Sequence, residues 1–335
     1  MAHRVSLPSP GIGRSLLCAA LSLGMLCSPA NASAAAPLGH ASTAATPASL
    51  SGRPSLGDPV SPLQKEQIEK ILGSRRDDVA VSVHDRRTGS VFTYNGALEN
   101  ATGSIVKVMV LVALIERRRE SGRGLSERQQ AQAEQMIRFS DNDATNSLIR
   151  AAGGSSAITK LAKKLNMKST QGRGAWGRTS TTATDQRMLI DAIVSGKVLS
   201  SADRQYVLGL MRQVTPEQRW GVGTVPKGAV AEVKNGWVPL EPRGWRVNSI
   251  GHVTGKGRDY TVAMLSYDNP SMEAGTSMLD ELSGYIYRTM GQRPNAAAAA
   301  LQGSFDGVVP SSDLGAGIPS WIRSPGAAYP PRLWW

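Results

Sequence analysis

Ser104 and Lys107 stand at the head of an apolar run, Ser104 to Arg117, and form the only Ser-x-x-Lys in the chain. A serine hydroxyl is a poor nucleophile until a base takes its proton. On a helix these two side chains share one face. A lysine that is buried, and close to a second cation such as Lys234, loses its proton more readily and can be that base. Ser140-Asp141-Asn142 follows, just ahead of a second helical segment, and Lys234-Asn235-Gly236 lies later in a strand-like stretch. Ser140 could relay a proton to a leaving nitrogen with Lys234 holding it electrostatically, and Asn142 could bond both Lys107 and a substrate amide. The backbone N–H groups of Ser104 and of Trp237 could hold a developing oxyanion. Gly236 would let an acyl group approach its strand.

Each motif also has a plainer reading. Ser104 could be only a helix N-cap, Ser140-Asp141-Asn142 only a cap before Asp143, and Lys234-Asn235-Gly236 only a hairpin turn. Other chemistries find less support. There is no G-x-S-x-G nucleophile elbow, H-E-x-x-H or Walker-type loop. His84 and His252 each fall in an apparent strand, where a structural role is the default. No metal or other cofactor is expected.

The elements that must position these residues come from apolar periodicity. Helices are predicted at 62–72, 104–120, 126–138, 143–152, 156–165, 182–195, 201–213 and 273–290. Ser155 or Ser156 would cap the fifth of these, and Thr182 with Asp185 resembles a capping box. Strands are predicted at 79–83, 90–94, 230–238, 245–254 and 260–268. Two strands, a block of helices, three strands and a helix exclude a doubly wound parallel sheet. They predict an α+β fold: one five-stranded antiparallel sheet flanked by the terminal helices, with the helical block inserted as a lobe. A substrate would lie between lobe and sheet edge.

Arg4 and Arg14 precede an apolar run, Ser15 to Cys27, and Ala30-Asn31-Ala32 supplies a small-residue cleavage site. Residues 1–34 thus read as a secretory signal cleaved near 32–34. Residues 35–60 read as a flexible linker, 61–291 as the globular domain, and 292–335 as a disordered Ala/Gly/Pro-rich tail. Both cysteines, Cys18 and Cys27, lie in the signal, and each follows a Leu, not the small residue that a lipoprotein signal carries. The mature protein is expected to be secreted, free of disulfides and membrane contact, and monomeric. The formal charge of +12 points to loose association with the anionic cell wall and not to nucleic acid, for which no recognition motif is present. Arg117-Arg118-Arg119 is read as a solvated helix end.

From about residue 60 to 290, the ordered set Ser104-x-x-Lys107, Ser140-Asp141-Asn142 and Lys234-Asn235-Gly236 resembles the S-x-x-K, S-D-N and K-T-G elements of the class A β-lactamase and penicillin-binding superfamily. The likeness is strongest to small secreted serine hydrolases of actinomycete type. It implies nucleophile Ser104, base Lys107, proton relay Ser140, substrate contact Asn142, electrostatic helper Lys234 and oxyanion donor Trp237. It also implies that Arg243, or else Arg246, grips the substrate carboxylate, with Asn235 in place of a hydroxyl residue. Two further departures stand out. The stretch from Ser104 to Ser140 is shorter than is usual for class A. Between Ser147 and Arg187 there is no Glu, and the sole acid is Asp185, although class A enzymes carry an omega-loop Glu that activates the deacylating water. The resemblance implies acylation by a β-lactam or a peptidoglycan-stem-like D-Ala-D-Ala amide, with slow deacylation. It leaves open a D,D-peptidase or esterase, and a non-catalytic cell-wall or ligand-binding protein on the same scaffold.

Overall fold

The computed structural model describes residues 60–240 and 244–291. The signal segment, the linker up to residue 59, the tail and Arg243 lie outside the described residues.

Five antiparallel strands make the main sheet: β1 (Val79–Asp85), β2 (Val91–Tyr94), β5 (Val230–Pro239), β6 (Trp245–Gly255) and β7 (Arg258–Asn269), in the order β2-β1-β7-β6-β5. β1 pairs with β7 along its whole length, from Val79 opposite Ser266 to Asp85 opposite Tyr260. Closing the sheet between strands so far apart in sequence leaves the intervening helices to form a lobe on one face. A second sheet of two-residue strands, β3 (Asn100–Ala101) and β4 (Ser180–Thr181), ties the lobe to the segment that leads into Ser104. Strands this short carry no periodicity, and the sequence did not predict them.

The lobe contains α2 (Val106–Glu120), α3 (Glu127–Arg138), α4 (Asn142–Ala152), α5 (Ser155–Lys164), α6 (Ala183–Val194) and α7 (Ser201–Arg212). Every residue of α2 from Val106 to Ile115 is buried. A helix that is apolar all round belongs in a core, and α2 runs through the centre of the lobe against α4 and α5. Burial therefore overrides the modest helix propensity of its four valines. Its basic end is tied locally: Arg119 pairs with Asp203 at 2.7 Å, and Arg118 donates to the Gly124 carbonyl. The other sheet face is covered by α1 (Lys65–Leu72) and α8 (Met272–Met290), which add Ile68, Leu72, Leu279, Leu282 and Ile286 to a second core.

Two predicted caps need correction. The N-cap of α5 is Gly154, with neither Ser155 nor Ser156 in that role. Thr182 does cap α6 by accepting from the Asp185 backbone N–H. The Asp185 carboxylate, however, does not reach back to complete a capping box. It accepts from the Ser169 N–H at 2.9 Å and the Thr170 hydroxyl at 2.8 Å, pinning the chain ahead of β4. A full capping box occurs at α3, between Ser126 and Gln129. No described helix is long and apolar enough to cross a membrane.

Candidate active site

Ser104 enters α2 from a 3-10 turn, Gly103–Ile105, and is 6% exposed. It is not the exposed N-cap that the sequence suggested. Gly103 sits at φ +53°, a left-handed conformation that costs a side-chain-bearing residue about 1–2 kcal/mol. A Cβ at Gly103 would also lie 2.9 Å from the Trp237 nitrogen. Gly103→Ala is therefore expected to destabilise the protein by about 2 kcal/mol or more. Urea unfolding measures this, and a loss below about 0.5 kcal/mol would show that the two backbones separate freely.

The close approach is mutual. A Cβ on Gly236 would lie 2.6 Å from the backbone nitrogens of both Ser104 and Ile105. Gly236 is thus needed for the 102–105 backbone, which already occupies the space assigned above to an acyl group. Trp237 turns both its nitrogen, at 2.9 Å, and its oxygen, at 3.1 Å, toward the Gly103 position. In an antiparallel strand these two atoms point to the same side, so the Trp237 N–H faces the Ser104 segment and not β6. The Ser104 and Trp237 nitrogens thus both lie at the contact between β5 and the turn into α2.

Lys107, one turn after Ser104, is fully buried. Its Nζ lies 2.6 Å from the Ser140 carbonyl oxygen, 2.8 Å from Asn142 Oδ1 and 3.1 Å from Ser140 Oγ. Lys234 Nζ reaches the same hydroxyl at 3.2 Å and the Asn235 carbonyl at 3.1 Å. One hydroxyl is thus held between two buried amines. Ser140 adopts φ +59°, an uncommon conformation for a side-chain-bearing residue and one that clusters at functional sites. Asp141 caps α4 through the Ala144 N–H, so the plainer reading of Ser-Asp-Asn holds for its middle residue while its neighbours face Lys107.

Burial pushes Lys107 well below the ordinary lysine range, the charge of Lys234 pushes it further, and Asp141 opposes both. Burial lowers Lys234 to about 7. All three oxygens around Lys107 Nζ can accept from it, so the amine is held in place by the turn before α4. Both lysines release a proton on folding at alkaline pH, so the unfolded chain binds more protons there and stability rises with pH. For Lys234 that window runs from about 7 up to 10.5. Lys234→Met is expected to be more stable than the parent near neutrality. Its advantage should shrink by up to about 1.4 kcal/mol per pH unit as the medium becomes alkaline. Urea midpoints of the two proteins between about pH 7 and pH 9.5 test it, and a constant difference would refute it.

Asn235, expected to contact substrate, is fully buried, and its Nδ2 donates to the carbonyls of Gln218 and Trp220. Strand alternation turns it away from Lys234, and it anchors the neighbouring loop. Arg246, the alternative carboxylate grip, lines a cleft with Ala101 and Leu240 and lies 3.7 Å from Asp268. His84 bonds Asp191, and His252 is clamped between Glu232 and Asp259. Both are structural, as expected, and stand apart from the lysine cluster.

Sequence reasoning missed three contributors. Trp176 places its ring 4.9 Å from Lys107 Nζ and donates to Asn146 Oδ1 at 2.9 Å. Asn248 donates to the carbonyls of Ala101 and Thr102 and accepts from Asn100, a buried network that fixes the approach to Ser104. Gly103 was visible beside Ser104, but its positive φ was not. Among the described residues no cluster of acids and histidines suits a metal ion.

The Beta-lactamase enzyme family matches residues 63–135 and 130–290. The chain belongs to that family. Its fold resembles the TLA-1 extended spectrum β-lactamase, with a TM-score of 0.62 and 17% identity, covering 68% of this chain and 98% of that one. PBP-A gives a TM-score of 0.58 and 21% identity over 69% of this chain and 98% of its own. A protein of Mycobacterium tuberculosis that carries the name lipoprotein LppW is 26% identical over 232 residues, or 66% of this chain and 73% of the relative.

Proposed function

We propose that this β-lactamase-family chain is an exported active-site-serine hydrolase that forms an acyl-enzyme on Ser104. The substrate is a β-lactam or a D-Ala-D-Ala-like amide. The observation that carries this reading is the Lys107–Ser140–Lys234 chain of hydrogen bonds, with a buried amine one turn from Ser104. Neutral Lys107 removes the Ser104 proton as Oγ attacks the carbonyl carbon. Charge on the carbonyl oxygen develops against the N–H groups of Ser104 and Trp237. Ser140 hands its proton to the departing nitrogen and is recharged through the lysines it bonds. Asn142 keeps Lys107 in place and can orient the substrate amide.

The acyl-enzyme then needs water and a base. No carboxylate among the described residues bonds Lys107, and the Trp176 ring stands beside it. That arrangement favours slow release, and so supports a D,D-peptidase or esterase with little lactamase activity as the second reading. Export rests on the apolar N-terminal segment and agrees with the lipoprotein name of the mycobacterial relative. The residues before Cys18 and Cys27 argue for cleavage near 32–34 without lipid attachment, which intact mass of the mature protein checks.

Mass spectrometry after mixing with a penicillin tests the whole reading. A transient adduct on Ser104 means a hydrolase, and a lasting one means a penicillin-binding type. No adduct would favour a binding protein and overturn the proposal.

A further inference from the structure

A cleft of about 290 Å³ lies near the end of β5, and its lining includes Glu99, Ala101, Arg173, Arg178, Leu240 and Arg246. Arg173 and Arg178 are exposed, and neither forms an ion pair or donates a side-chain hydrogen bond among the described residues. The loop that carries them is built, not loose. Gln171 and Ser180 exchange two backbone hydrogen bonds at its neck, of 3.0 and 3.2 Å. The Gly172 N–H donates to Thr159 Oγ1, and the turn at Trp176–Arg178 is anchored by the indole bond to Asn146. Arg246 is already engaged with Asp268. Glu99, the acid in this lining, accepts from Ser180 Oγ. Among the described lining residues, two uncommitted guanidinium groups thus stand against one carboxylate, which makes this lining net cationic.

Its place along β5 sets which part of a substrate it meets. Lys234 and Ser140, which serve the leaving nitrogen, lie at one end; Trp237 lies in the middle; Leu240 lies at the other end. Leu240 is three residues past Trp237, or about 10 Å along a strand. Ala101, on the same wall, is three residues before Ser104. Resting on the acyl-enzyme reading above, we propose that the cleft takes the acyl arm of the substrate. It selects arms with a carboxylate roughly three extended residues, about 10 Å, from the scissile carbonyl. Guanidinium pairs with carboxylate through charge-assisted, often bidentate hydrogen bonds, which gives geometric selection as well as attraction.

The test uses two depsipeptide esters that are identical except that the acyl arm ends in a carboxylate or in a carboxamide. The second-order rate of Ser104 acylation is expected to be about tenfold higher for the carboxylate at low salt, given two exposed pairs. The ratio should shrink toward one as salt is raised to about 0.5 M. In Arg173→Gln/Arg178→Gln it should fall close to one, and in Glu99→Gln it should rise. A parent ratio near one, or a preference that survives the double substitution, overturns the inference. Calorimetric binding of the same pair to Ser104→Ala needs no acylation. If neither ester acylates the parent, the catalytic proposal fails, and this binding ratio still judges the cleft. Equal binding of the two esters, or binding of neither, overturns it.

Discussion

Ser104→Ala is expected to lose the acyl adduct completely and to lower any hydrolytic rate by at least about 10⁴-fold. The hydroxyl supplies the attacking oxygen, and no neighbouring group can replace it. Lys107 and Lys234 are amines already engaged with Ser140, and Ser140 is held between them by two hydrogen bonds. The protein should nevertheless fold. Ser104 is buried, not an exposed cap, and its Oγ has no hydrogen-bond partner among the described residues, so truncation leaves no partner unsatisfied. The melting temperature is expected to stay the same or to rise slightly. Intact mass after penicillin treatment and a thermal melt together decide the matter. A variant that still gains the mass of the drug would remove Ser104 from its role, and a variant that fails to fold would show that the turn depends on the hydroxyl.

The same comparison shows what the sequence could carry. The five main strands and eight helices were legible with ends displaced by up to three residues, because apolar alternation and helical periodicity record which face is buried, and burial decides these elements. The lysine cluster was half legible. The spacing Ser104-x-x-Lys107 is local and states its own geometry, and the lowered lysine proton affinity follows once both amines share a core. Properties set by contacts between distant segments were not legible. Asn235 faces the 218–220 loop because of strand parity and of where that loop returns, and neither is written at position 235. Gly236 is required by the backbone of residues 102–105, some 130 positions earlier. Asp185 looked like half of a capping box because its backbone N–H does donate to the Thr182 cap, while its side chain serves Ser169 and Thr170. Trp176 is brought to Lys107 by the pairing of β3 with β4 and by its indole bond to Asn146. Sites assembled from several lobes leave their residue types in the sequence and their partners outside it.

A chromogenic cephalosporin mixed rapidly with the protein is expected to give a burst close to one equivalent of enzyme, followed by a much slower steady state. Two observations combine to predict this. The acylation groups stand together, with a buried Lys107 whose proton is easily shed and the Trp237 backbone packed against the Ser104 turn. Among the described residues, no carboxylate stands there free to serve as a base for water. Asp185 is held by Ser169 and Thr170, and burial raises its carboxyl above the usual range; Asp141 caps α4; Glu99 accepts from Ser180. Lys107 itself would have to serve again, beside the bulk of Trp176. Acylation and deacylation then have different chemistry, and the slower step sets turnover. A steady-state rate of roughly 10–1000 per second, typical of an efficient enzyme, without a burst would refute the prediction. Trp176→Glu offers a constructive check, since it places a carboxylate within reach of Lys107. If lack of a base is what delays release, that variant should shorten the lifetime of the adduct by at least about tenfold, within the range that general base catalysis supplies. An unchanged lifetime, in a variant shown to fold and acylate, would place the delay in access of water instead.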